Sequence, residues 1–165
     1  METVYIETTV VSLLVADPSR GLIMAANQQA TRDWWRLRRG DFLCIVSSEV
    51  LREAGCGDPE QARRRLEVLR ALAVVSVTSE SERLAEAFVT TRALPPQAQT
   101  DAAHLAIATV ARADYLLTWN CRHLANGQIL RRLSAEATTR GWHLPTVCTP
   151  PELMGDLTDE SEPNS

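Results

Sequence analysis

Glu7, Glu53, Asp101 and Asn120 are the residues of this sequence whose types and settings could do chemistry together. Glu7 directly follows the apolar run TVYI, Glu53 sits in SSEVLREAG, Asp101 in QAQTDAAHLAIATVAR, and Asn120 just past YLLTW. Three carboxylates and an amide offer only oxygen donors. Two like charges about 4 Å apart repel by about 4 kcal/mol at an effective dielectric of 20, so such a cluster, once assembled, calls for a divalent cation. Oxygen ligands point to Mg²⁺ or Mn²⁺ rather than zinc. Each residue also has an ordinary reading. Glu7 would serve as a strand-end acid capping the next helix, and Glu53 as a solvated acid paired with Arg52 or Arg63. Asp101 would favour a helix N-terminal dipole from the second turn. Yet Ala98, Leu105, Ala108 and Arg112 place Asp101 on the border of an apolar stripe. An acid facing inward there must meet a cation or take up a proton.

The elements that would bring these residues together can be read from periodicity. Short apolar, β-prone runs occur at 3 to 6, 42 to 46, 73 to 77, 115 to 118 and 146 to 148. Helical patterns lie between them. Residues 22 to 38 carry an apolar stripe, Asp58 and Pro59 read as N-cap and first-turn proline, and Ser79 with Glu82 reads as a capping box. Pro95 and Pro96 end that helix, 97 to 112 forms another, and a last one runs from about 127 to 140, closed by Gly141. Alternation of near-continuously apolar strands with helices predicts an α/β protein: a three-layer α/β/α sandwich on a mainly parallel sheet of about five strands. Such sheets bind ligands at the carboxyl ends of their strands, near the point where strand order reverses. Glu7, Glu53 and Asn120 all follow strands.

The 165 residues, 45% hydrophobic, fit one domain. The expected division is a folded domain at 1–152 and an acidic, disordered tail at 153–165. The net charge of −4 equals the four acids of the final GDLTDESEPNS, so the rest of the chain is neutral. Every one of the 17 basic residues is arginine, which grips phosphate bidentately. Clusters at Arg36, Arg38 and Arg39, at Arg63 to Arg65, and at Arg131 and Arg132 could meet phosphates or simply be solvated helix faces. Cys44, Cys56, Cys121 and Cys148 form no CxxC pair, which favours reduced thiols. With no apolar run of membrane-spanning length and no signal-like N-terminus, the expectation is a cytoplasmic protein without membrane contact. There is also no GxSxG elbow, Walker A lysine or GxGxxG. IETTV lacks the DxD that a small phosphatase of the doubly wound class would need.

Taken in order, VYIETTVVSLL, VSSEVLREA and TDAAHLAIATVARADYLLTWNCRHLAN resemble the PIN domain, the ribonuclease fold of VapC-type toxins, over roughly residues 3 to 150. The resemblance implies a PIN-like, Rossmannoid fold and metal-dependent hydrolysis of RNA phosphodiesters, with Mg²⁺ or Mn²⁺ held by Glu7, Glu53, Asp101 and Asn120. It also implies a cognate antitoxin partner and a homodimer, in which whichever of Trp34 and Trp35 does not face the core could lie. Glu7 is one methylene longer than the usual Asp, and Asn120 stands where an acid is commoner. TWNCRHLAN resembles a subgroup that carries Asn there. An amide keeps a carbonyl oxygen for a cation but gives up one charge, so the site should hold metal less tightly. Thr8, Thr118 and His123 are candidates for positioning water or a phosphate oxygen. Thr8 could equally be a helix N-cap, Thr118 a strand residue, and His104 and His123 surface or packing residues. The alternative function is a catalytically weakened PIN-like module that binds RNA or protein.

Overall fold

The computed structural model describes residues 1–155. Five strands, β1 (Thr3–Ile6), β2 (Leu43–Ser47), β3 (Ala73–Val75), β4 (Tyr115–Leu117) and β5 (Thr146–Cys148), form one sheet in the order β3-β2-β1-β4-β5. Every neighbouring pair is parallel. Among the described residues the seven α-helices are α1 (Thr8–Val15), α2 (Leu22–Leu37), α3 (Ser48–Ala54), α4 (Pro59–Leu69), α5 (Ser79–Thr90), α6 (Gln99–Val110) and α7 (Gly127–Thr139). The chain steps one way from β1 to β3 and the other way from β4 to β5. Right-handed crossovers therefore put α1 to α4 on one face and α5 to α7 on the other. Helix contacts agree: α1 meets α2, α3 and α4, while α5 meets α6 and α7. The expected three layers are present.

The central strands are apolar throughout because both faces are covered. Val4, Tyr5, Ile6, Val46, Leu116 and Leu117 are fully buried. Strand order reverses between β1 and β4. Ile6 pairs with Leu117 and Tyr5 with Ile45, so Glu7, Ser47 and Thr118 come level at the carboxyl edge. That alignment of residue types at one edge is the origin of the site.

Local chemistry shifted several helix ends. The capping box on α5 uses Thr78 and Ser81 rather than Ser79 and Glu82, because the short Ser81 hydroxyl reaches back to the Thr78 N–H at 2.9 Å. Helix α5 stops at Thr90, before the prolines, through Arg92 in the left-handed region at φ 59. Pro96 instead opens a short 3-10 turn. Helix α6 consequently begins at Gln99, which puts Asp101 in its first turn. Asp58 and Pro59 cap α4 as expected, and all four cysteines are free. No helix among the described residues is long and apolar enough to cross a membrane.

Trp34 is fully buried and stacks on Phe42, and its indole N–H donates to the Leu153 carbonyl at 3.1 Å. Leu153 is itself buried, so the packed chain runs past residue 152; the acidic stretch from 156 lies outside the described residues. Trp35 is only partly buried and carries the Arg39 guanidinium 5.1 Å above its ring. Trp34→Ala should therefore cost about 3–5 kcal/mol. Trp35→Ala should cost far less, a contrast that denaturant midpoints will resolve.

Candidate metal and catalytic site

Glu7 ends β1 and caps α1 with its side chain, so its ordinary role and its site position coincide. Three bonds fasten Oε2: the Thr9 N–H at 3.1 Å, the Thr9 hydroxyl, and the Thr118 hydroxyl at 2.8 Å. Oε1 takes no hydrogen bond among the described residues. Glu53, near the end of α3, is arranged the same way. Its Oε1 accepts from the Thr8 hydroxyl at 2.9 Å and pairs with His104 Nε2, and its other oxygen takes no bond among the described residues. Ligand atoms of Glu7, Glu53 and His104 all lie within 4.8 Å of one another.

His104 is fully buried. Its other nitrogen meets the Tyr5 hydroxyl at 2.8 Å, and Tyr5 in turn meets the Ser47 hydroxyl at 2.7 Å. Burial alone would lower the His104 pKa, but its bond to Glu53 and the charges of Glu7, Glu53 and Asp101 raise it. Burial likewise opposes ionisation of Glu53, yet the bonds from His104 and Thr8 and the charges of His104 and Arg52 bring its pKa below the ordinary range. Both shifts describe an ionised pair. Burial first, then the nearby carboxylates, keep the Tyr5 phenol protonated, outweighing the Ser47 bond. Tyr5→Phe leaves His104 Nδ1 without its partner in the core and should lower stability by about 1–3 kcal/mol, read from chemical denaturation.

Asp101 and Asn120 form a second group. The Asn120 amide nitrogen donates to Asp101 Oδ1 at 2.9 Å, and His123 Nδ1 lies 2.9 Å from Asp101 Oδ2. Asn120 Oδ1 accepts the backbone N–H groups of Arg122 at 3.2 Å and His123 at 3.0 Å. Two backbone donors fix which end of the amide faces Asp101, since a flipped amide would set its nitrogen against them. The expected carbonyl ligand is thus turned into its own loop, and what Asn120 presents to the site is a donor. Thr118 links the groups, donating to Glu7 and accepting the Asn120 N–H at 2.9 Å.

All four expected residues stand at the reversal point, as two hydrogen-bonded groups. Thr8 and Thr118 hold carboxylates rather than facing an open space, and Glu7, not Thr8, is the N-cap. His123 binds Asp101. His104 does more than pack. Its signal was in the spacing, because a residue three positions past Asp101 on a helix shares its face.

The donor set suits a hard divalent cation. Among the described residues Glu7 and Glu53 each keep one oxygen free of hydrogen bonds, a ligand atom of each lies within 4.8 Å of the other, and a single buried histidine does not neutralise both.

The all-parallel α/β/α sandwich with strand order β3-β2-β1-β4-β5 matches a PIN-like fold. The chain superposes on a chain of VapBC2 from Rickettsia felis, solved bound to a DNA fragment from their promoter. The TM-score is 0.56 and the identity 14%, over 89% of this chain and 98% of that one. At that identity the likeness speaks for the fold. No family profile and no curated protein matches the chain.

Proposed function

We propose that this protein is a cytoplasmic, Mg²⁺- or Mn²⁺-dependent endoribonuclease that acts as the toxin of a type II toxin-antitoxin pair. The carrying observation is the pair of tethered glutamates, each with one oxygen fastened and one free among the described residues, and with a ligand atom of each within 4.8 Å of the other. The antitoxin partner is read from likeness to the VapBC2 complex.

Glu7 and Glu53 would hold the cation through their free oxygens. When bound, it would lower the pKa of water and offset charge gathering on the phosphate. Thr9 and Thr118 keep the Glu7 carboxylate aimed, and Thr8 and His104 do the same for Glu53. Asp101, held by Asn120 and His123, is the base that orients water for in-line attack. His123 Nδ1 donates to Asp101 Oδ2 and keeps the carboxylate aimed; the proton taken from water passes to solvent, to which Asp101 is 19% exposed, as the P–O bond to the leaving oxygen breaks.

The test is cleavage of a mixed RNA pool with Mg²⁺, Mn²⁺ or EDTA, beside calorimetry of Mn²⁺ binding. Cleavage and binding that both depend on Glu7 and Glu53 are expected. Absence of both sinks the nuclease reading. One observation favours the alternative of a weakened module that binds RNA or protein: Asn120 supplies no charge and spends its oxygen internally. RNA binding without metal uptake or cleavage would select it.

A further inference from the structure

The arginines divide into two kinds. Arg36, Arg38, Arg52, Arg63, Arg64 and Arg140 each pair with a carboxylate, and Arg65 is spent on the carbonyls of Ala54 and Cys56. Two of the three clusters that the sequence offers to phosphates are therefore largely occupied. The cluster at Arg131 and Arg132 is different. Among the described residues neither meets a carboxylate, and the same holds for Arg92 and Arg122.

Arg92, Arg122 and Arg132 are exposed and line one open groove of about 660 Å³. They come from three places: the loop after α5, the turn after β4, and α7. Among the described residues no acid lines the groove, so they leave its positive charge uncompensated. Its remaining walls are apolar, from Leu94, Pro95, Pro96 and Ile129. Ile129 and Arg132 lie three apart on α7 and so share a face. His123 also lines the groove while its Nδ1 meets Asp101 at 2.9 Å, which sets the groove next to Asp101.

Clustered guanidinium groups seek phosphates, whereas apolar walls and an imidazole edge seek the face of an unpaired base. A duplex buries its base faces and has no use for such walls. We infer that this groove seats single-stranded RNA beside the acid cluster, Arg92, Arg122 and Arg132 taking phosphates and the proline and isoleucine wall taking a base. The inference rests on the nuclease reading and names the path its substrate follows.

The test is fluorescence anisotropy with a labelled single-stranded RNA about 12 nucleotides long, within the usual site size. EDTA is present, so that binding is read without cleavage. The combined variant Arg92→Ala/Arg122→Ala/Arg132→Ala should bind at least about tenfold more weakly. Its log-affinity against log-salt slope should be shallower by about 2, from roughly 0.7 per lost phosphate contact. Arg63→Ala/Arg64→Ala, which removes ion-paired arginines of α4, should bind as wild type. Should the triple variant fold poorly, Arg132→Glu on its exposed face provides the same reading. If the groove variants bind as wild type, or the α4 control weakens equally, the groove is not the seat. Wild type that cleaves RNA while the groove variants bind and cleave equally well overturns the groove alone. Wild type that neither binds nor cleaves overturns the nuclease reading with it.

Discussion

Replacing Asp101 with asparagine should reduce metal-dependent RNA cleavage by about 10²–10⁴-fold, the usual contribution of a positioned general acid or base, and leave the melting temperature nearly unchanged. The substitution is close to isosteric, and the contacts at position 101 survive it. The new carbonyl can still accept from Asn120 Nδ2, where Oδ1 now sits at 2.9 Å. The new amide nitrogen can donate to His123 Nδ1, which now lies 2.9 Å from Oδ2, once that ring adopts its other tautomer. What disappears is one negative charge and the ability to take a proton. The measurement is single-turnover cleavage in Mn²⁺ beside a thermal melt. Cleavage at the wild-type rate would remove Asp101 from the mechanism. A collapse of the melting temperature would show that its charge is needed for the fold.

The distinction between charge and contact also explains what could be read from the sequence. Five apolar runs became five strands: β1, β2 and β4 are buried on both faces and must be apolar at nearly every position, whereas the edge strand β3 is largely exposed and was legible from its β-branched valines. Glu7, Glu53, Asp101 and Asn120 reached one edge for a related reason: strand ends in a doubly wound sheet have one place to go. Orientation was less legible. Whether Asn120 shows its oxygen or its nitrogen depends on the backbone N–H groups of Arg122 and His123, which exist as donors there only once the loop has closed. His104 was hidden because a histidine beside leucine and alanine reads as packing until Glu53, 51 residues away, arrives against it. The same limit applies to the arginines. Arg64 meets Asp17 across 47 residues, so pairing had to be seen in three dimensions before the unpaired set around His123 stood out.

Asn120→Asp tests how the site balances charge. In wild type an amide hydrogen sits between residue 120 and Asp101. An aspartate at 120 can keep accepting the Arg122 and His123 N–H groups with one oxygen, but the other then faces Asp101 Oδ1 across the 2.9 Å now spanned by that hydrogen bond. Asp101 is only 19% exposed, so water cannot fully screen two carboxylates there. In EDTA the variant should lose about 1–3 kcal/mol, the cost of turning a satisfied polar contact into an unsatisfied one. With Mn²⁺ the order should reverse, because a cation relieves the very repulsion that the substitution creates. Ligand binding to the folded state alone adds stability that grows with the logarithm of ligand concentration over Kd. The rise in melting temperature on adding Mn²⁺ should thus be larger in the variant, and half-maximal cleavage should need less metal. Equal stability in EDTA would mean that the amide does not restrain Asp101. A variant destabilised in EDTA that Mn²⁺ does not rescue would mean that the cation, wherever Glu7 and Glu53 hold it, lies too far from Asp101 to be felt. A variant that binds Mn²⁺ more tightly yet cannot cleave would assign Asn120 a task no acid can perform: keeping Asp101 aimed by donating a hydrogen bond to it.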